Sequence, residues 1–144
     1  MKVTCIQMDM VFAKPEENFQ KVTFLIEKAM EDAPDVLIAM NLPSLQKFVN
    51  DVVPGGQIYV DSALIDVKVE RTDVEVFYIP ATQMAKDNDI ATLANMIIVG
   101  HLLENHPELS FEGTSAVVEK LVPPKKAALV ELNNKALALG KNYK

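Results

Sequence analysis

Residues 35–60, DVLIAMNLPSLQKFVNDVVPGGQIYV, carry the pattern that decides the fold. Asp35-Val36-Leu37-Ile38-Ala39-Met40 is a short apolar run bounded by turn formers, as a strand buried on both faces requires. Asn41 follows in position to cap a helix, Pro43 falls in that helix's first turn, and Leu42, Leu45, Phe48 and Val49 recur on one face. Pro54-Gly55-Gly56 ends the unit and Gln57 to Val60 resumes a strand. Strand, helix and strand in this order predict a β-α-β unit with a parallel pair.

Upstream, Lys2 to Met8 alternates around Val3, Cys5 and Ile6 and reads as a short strand. Pro15 opens an acidic first turn at Glu16 and Glu17, and Phe19, Val22, Phe24, Leu25, Ile26 and Met30 give residues 15–31 an amphipathic helical face that Pro34 stops. Downstream, Asp61 to Asp73 reads as a loop or irregular edge segment, and Val74 to Ile79 as another strand. After Pro80 the pattern turns helical, with Ile90, Leu93, Ala94, Ile97, Ile98, Leu102 and Leu103 forming an apolar face behind Asp89 as cap. Val117 to Val122 predicts a short helix closed by Pro123-Pro124, and Ala127 to Leu139 a last one ending at Gly140. The chain is expected to form one α/β domain over residues 1–144, a three-layer α/β/α arrangement around a mostly parallel sheet.

Composition fits that expectation and removes several functions. Hydrophobic residues make up 49% and charged residues 24% of 144, the balance of a chain that folds around a core. The net charge is −6 and the 14 Lys and Arg form no basic stripe, so nucleic acid is not an expected partner. Cys5 is the only cysteine, which excludes an intramolecular disulfide, a four-cysteine zinc site and an iron–sulfur cluster held by this chain alone. The N-terminus has no signal-peptide pattern, and no stretch reaches the ~20 apolar residues that span a bilayer, so a cytoplasmic location is expected.

From Asp35 to the C-terminus the chain resembles the C-terminal part of the gamma subunit of 2-oxoacid:ferredoxin oxidoreductases, the pyruvate/ketoisovalerate family. The resemblance rests on DVLIAMNLPSLQKFVNDVVPGGQIYVDSALI, then VEVFYIPAT, LANMIIVGHLL and KKAALVELNNKALALG, in the family's order and at about its spacing. It implies an accessory gamma-type subunit, not catalytic alone, of an assembly that decarboxylates a 2-oxoacid oxidatively to acyl-CoA and passes electrons to ferredoxin. Thiamine diphosphate, iron–sulfur clusters and coenzyme A would then belong to partner subunits, with no cofactor in this chain.

Residues 1–41 resemble instead the opening strand, helix and second strand of the nitrilase, or carbon–nitrogen hydrolase, family. Where that family ends its second strand in Leu-Pro-Glu, with Glu as general base, this chain has Ala39-Met40-Asn41, and an Asn cannot accept a proton as a carboxylate does. The Gly-x-Gly-Gly-Gln-Gly turn that opens gamma subunits is absent too: glycine occurs only at 55, 56, 100, 113 and 140. The two resemblances meet at the Asp-Val-Leu-Ile strand, and a chimera joined there is the expectation.

No residue is assigned a catalytic or metal role. His101 and His106 lack partners at ligand spacing and read as surface or boundary histidines, and Cys5 as a buried thiol. Pro54-Gly55-Gly56 stands between helix and strand, the reverse of the order a phosphate cradle needs. Asn41, Pro80, Thr82, Asn95 and Met96 are the candidates for a crevice or subunit interface, because strand ends and the following helix starts form the usual crevice of open α/β sheets. The plainer reading has Thr82 capping a helix and Asn95 satisfying buried backbone. The alternative function is a free-standing, non-catalytic α/β module for ligand binding or self-association, derived from a chimeric gene.

Overall fold

In the computed structural model, residues 33–144 are described together with Glu16 and Gln20, both helical. The strand expected at Lys2–Met8 and most of the helix at 15–31 lie outside the described residues. β1 (Val36–Ala39), β2 (Gln57–Asp61) and β3 (Glu75–Ile79) form a parallel sheet in the order β1-β2-β3. The register is in step, with Leu37 opposite Ile58 and Ile58 opposite Val76. Five helices accompany these strands among the described residues: α1 (Leu42–Phe48), α2 (Ala81–Asp87), α3 (Ala94–Asn105), α4 (Phe111–Leu121) and α5 (Ala128–Lys141).

The two-residue period of β2 divides the core. Ile58 and Val60 point to one face, where Ala39, Leu45, Val52 and Ile65 bury them under α1 and the β2–β3 connection. Tyr59 points to the other face, against Ile79, Ala81, Ala85, Ile97 and Ile98 from β3, α2 and α3. Helices therefore cover both faces of a parallel sheet, the three-layer arrangement expected from the apolar runs.

Local chemistry follows the sequence closely around α1. The Asn41 side chain accepts a hydrogen bond from the Ser44 amide at 2.9 Å with Pro43 in the first turn, and Leu45 and Phe48 are buried. Gly55 takes φ +79° in the turn before β2, and Gly56 lies so close to the Asp35 and Val53 carbonyls that a side chain would collide with them. Residues 62–74 form an irregular connection, pinned by buried Ile65 and by Arg71, whose Nη1 donates to the Val49 and Val52 carbonyls at 2.8 and 2.7 Å.

The structure corrects three expectations. Asp89 is not a cap: it takes φ +60°, a conformation Asp tolerates, and links α2 to α3, which begins at Ala94 after a 3-10 turn at Ala91–Leu93. α4 is longer than Val117–Val122, because Ser110 caps it by accepting from the Gly113 amide at 2.8 Å. Gly140 does not end α5, which continues to Lys141. Its lack of a Cβ brings α5 against α3: a Cβ on Gly140 would lie closer than 3.0 Å to the Ile97 carbonyl, and one on Gly100 equally close to that of Leu137.

Candidate functional site

The carboxyl ends of the three strands share one edge of the sheet, where α/β proteins of this layout bind ligands and partners. Asp61 ends β2 and is fully buried. Its carboxylate accepts from the Ala63 amide at 3.1 Å, the Thr82 amide at 3.2 and 3.3 Å, and the Thr82 hydroxyl at 2.5 Å. The first turn of α2, which follows β3, is thereby tied to the end of the neighbouring strand. Thr82 does not cap the helix with its own side chain. Pro80 holds the N-cap position without a side-chain bond, and the capping acceptor comes from Asp61.

The other candidates lie around this anchor. Asn41 follows β1, and its Oδ1 is engaged with Ser44. Pro80 follows β3 and is partly buried. Asn95 and Met96 fall in the first turn of α3; Asn95 is exposed and satisfies no buried backbone, whereas Met96 packs against the Ile97–Ile98 core. Met40 and Met84 pack on the same core. The structure thus brings Thr82 together with Asp61, which the sequence reading placed at the start of the loop 61–73 and which in fact ends β2.

This edge is a poor receptor for a phosphate group. The Ser44 amide at the start of α1 is taken by Asn41, and the Thr82 amide at the start of α2 by a carboxylate that repels anions. Residues 33–144 contain no cysteine, so they offer no thiolate for an iron–sulfur cluster.

At the opposite edge a second polar group forms that no sequence pattern announced. Gln57 Oε1 accepts from the Tyr59 hydroxyl at 2.8 Å and lies 2.6 Å from His106 Nε2, while Gln57 Nε2 donates to Glu75 at 2.8 Å. His106 Nδ1 lies 2.9 Å from Glu108 Oε1. Burial, with the Glu75 carboxylate adding to it, pushes the Tyr59 phenol well above its ordinary value. The Glu108 carboxyl is held below the usual range by its own backbone amide and by His106. Tyr59 also stacks on Phe77 at 4.8 Å, and the His101 ring meets Tyr59, Phe77 and Tyr143 edge-on. Both histidines are boundary residues, as expected.

Comparison with known proteins bears on what this frame belongs to. The family described as pyruvate ferredoxin/flavodoxin oxidoreductase matches residues 21–143, so the similarity starts ahead of Asp35, inside the stretch that resembles nitrilases. Subunit KorC of 2-oxoglutarate synthase from Methanothermobacter marburgensis is 30% identical over 98 residues, 64% of this chain and 53% of that protein. Subunit VorA of ketoisovalerate oxidoreductase from the same organism is 35% identical over 72 residues, 50% of this chain and 15% of that one. The crystal structure of the gamma subunit of a keto/oxoacid ferredoxin oxidoreductase from Geobacter sulfurreducens matches with a TM-score of 0.65 and 28% identity, covering 74% of this chain and 61% of that one. The chain thus spans about half the length of the KorC relative, and the resemblance read from Asp35 onward is borne out in sequence and in fold. On this match along most of its length, the chain belongs to the pyruvate ferredoxin/flavodoxin oxidoreductase family.

Proposed function

We propose that the chain is a gamma-type accessory subunit of a cytoplasmic 2-oxoacid:ferredoxin oxidoreductase, contributing structure to the assembly while its partner subunits carry out the chemistry. The observation that carries this reading is the match to a gamma subunit over 74% of the chain at a TM-score of 0.65. Two features of the site support it. The buried Asp61 carboxylate is committed to Thr82 and Ala63, which leaves it no free role as a base. Residues 33–144 carry no cysteine for a cluster, and the Ser44 and Thr82 amides in the first turns of α1 and α2 are taken by Asn41 and Asp61.

In this role thiamine diphosphate, iron–sulfur clusters and coenzyme A are held by the partner subunits, and the chain buries part of its surface against them. Among the described residues no helix is long and apolar enough to cross a membrane, which agrees with an assembly in the aqueous phase. The test is co-expression of the tagged chain with the thiamine- and cluster-binding subunits encoded in the same genome. A stoichiometric complex on affinity capture and gel filtration is expected. A chain that elutes alone at micromolar concentrations of all subunits contradicts the reading.

A further inference from the structure

α4 buries little of its own surface. Val118 is its one buried side chain, and the helix packs chiefly on α5 among the described residues, where the Ser115 hydroxyl donates to Asn134 Oδ1 at 2.9 Å. A helix of 11 residues is below the ~12–15 at which isolated helices become even marginal, so its order depends on tertiary cover. Val117 is 52% and Leu121 76% exposed. Lying four residues apart, they form one stripe on the helix.

Charge surrounds this stripe asymmetrically. The chain is net acidic at −6, yet Lys120, Lys125 and Lys126, three of its 14 basic residues, fall within seven positions of one another beside Leu121. Glu119 is the only carboxylate between Val117 and Lys126. Lys120 is one turn from Val117, and Lys125 and Lys126 stand in the 3-10 turn Pro124–Lys126 that follows α4. Lysine stems extend apolar surface while their heads seek anions. A second copy of this chain fits poorly, because a two-fold contact centred on Leu121 would bring the two lysine clusters together.

We propose that the Val117–Leu121 stripe, with Lys120, Lys125 and Lys126 around it, docks on an apolar patch with an acidic rim on a partner subunit of the oxidoreductase. This rests on the reading of the chain as a gamma-type subunit and assigns the surface through which it assembles. The apolar centre supplies affinity, and the lysines set orientation and speed the encounter.

The test replaces Leu121 with a photo-cross-linking residue in the full chain, mixed with the purified thiamine- and cluster-binding subunits. Cross-links to a partner subunit are expected. Leu121→Glu should weaken assembly at least tenfold with an unchanged circular dichroism spectrum and Tm, since the side chain is exposed. Reversing all three lysines to Glu should weaken assembly at 50 mM salt and invert its salt dependence, because added salt then screens repulsion from the acidic rim. Cross-links confined to a second copy or to residues 1–32 of the same chain overturn the proposal, as does wild-type assembly by both variants. If the wild-type chain itself does not assemble, the subunit reading fails and this proposal with it, whereas assembly that ignores the variants removes the proposal alone.

Discussion

Replacing Asp61 by Ala removes the acceptor that ties the start of α2 to the end of β2. Three donors lose their partner in a site closed to solvent: the Ala63 amide, the Thr82 amide and the Thr82 hydroxyl. A hydrogen bond to a charged acceptor contributes about 1.5–3 kcal/mol, and a buried donor left unpaired costs about 1–3 kcal/mol. Because one carboxylate serves all three donors and water can enter the vacated space, the sum is less than additive, and a loss of about 3–5 kcal/mol is expected. For a chain of this size that lowers Tm by roughly 10 °C. Thr82→Val removes the hydroxyl alone and should cost about 1–2 kcal/mol, while Thr82→Ser keeps the bond and should stay near wild type. Urea denaturation of both single variants and the double variant gives the coupling, expected at about 1 kcal/mol. An Asp61→Ala variant within about 0.5 kcal/mol of wild type, or zero coupling to Thr82, refutes the anchoring role.

Gly140→Ala inserts a methyl group between α5 and the Ile97 carbonyl and should destabilise the chain by about 1–3 kcal/mol, read from the urea midpoint; a neutral effect would mean that the helices are not in close contact. The raised Tyr59 phenol gives an alkaline limb: its stabilising contribution is complete below the unfolded tyrosine value of about 10 and is lost as pH rises above it, because the unfolded chain ionises while the folded one resists. Tyr59→Phe should flatten the fall in stability between about pH 10 and 11, and an unchanged slope would contradict the burial of that hydroxyl. Isothermal titration of coenzyme A and adenine nucleotides into the isolated chain should show no low-micromolar binding, since Asn41 and Asp61 occupy the helix-start amides; a tight site localised to the carboxyl edge would overturn this.

Much of the fold was legible wherever the signal is local. The apolar run Val36–Ala39 between Asp35 and Asn41, the Asn41 cap with Pro43 behind it, and the Pro54-Gly55-Gly56 turn each combine residues a few positions apart, and each formed the element read from it, although β1 is not buried on both faces: Ile38 is 39% exposed. Errors arose where tertiary contacts outweigh local preference. Gly140 has the look of a helix stop, yet its use is the approach of α5 to α3, which only the packed structure reveals. Asp89 has the look of a helix cap, yet it takes φ +60° in the link between α2 and α3, where Asn88 Nδ2 donates back to the Met84 carbonyl and Lys135 reaches the Asn88 carbonyl from α5.

The candidate site was half legible. Strand ends followed by helix starts pointed to Asn41, Pro80 and Thr82, but Asp61 and Thr82 are joined across 21 positions and His106 and Gln57 across 49. No periodicity encodes such pairs.

An omission assay tests the central claim most directly. The thiamine- and cluster-binding subunits are purified with and without this chain, and 2-oxoacid-dependent, coenzyme A-dependent reduction of ferredoxin is followed. An accessory subunit predicts that activity depends on adding the chain and saturates near one copy per catalytic unit, while the chain alone is inactive. Full activity without the chain, with no complex formed on its addition, would contradict the account.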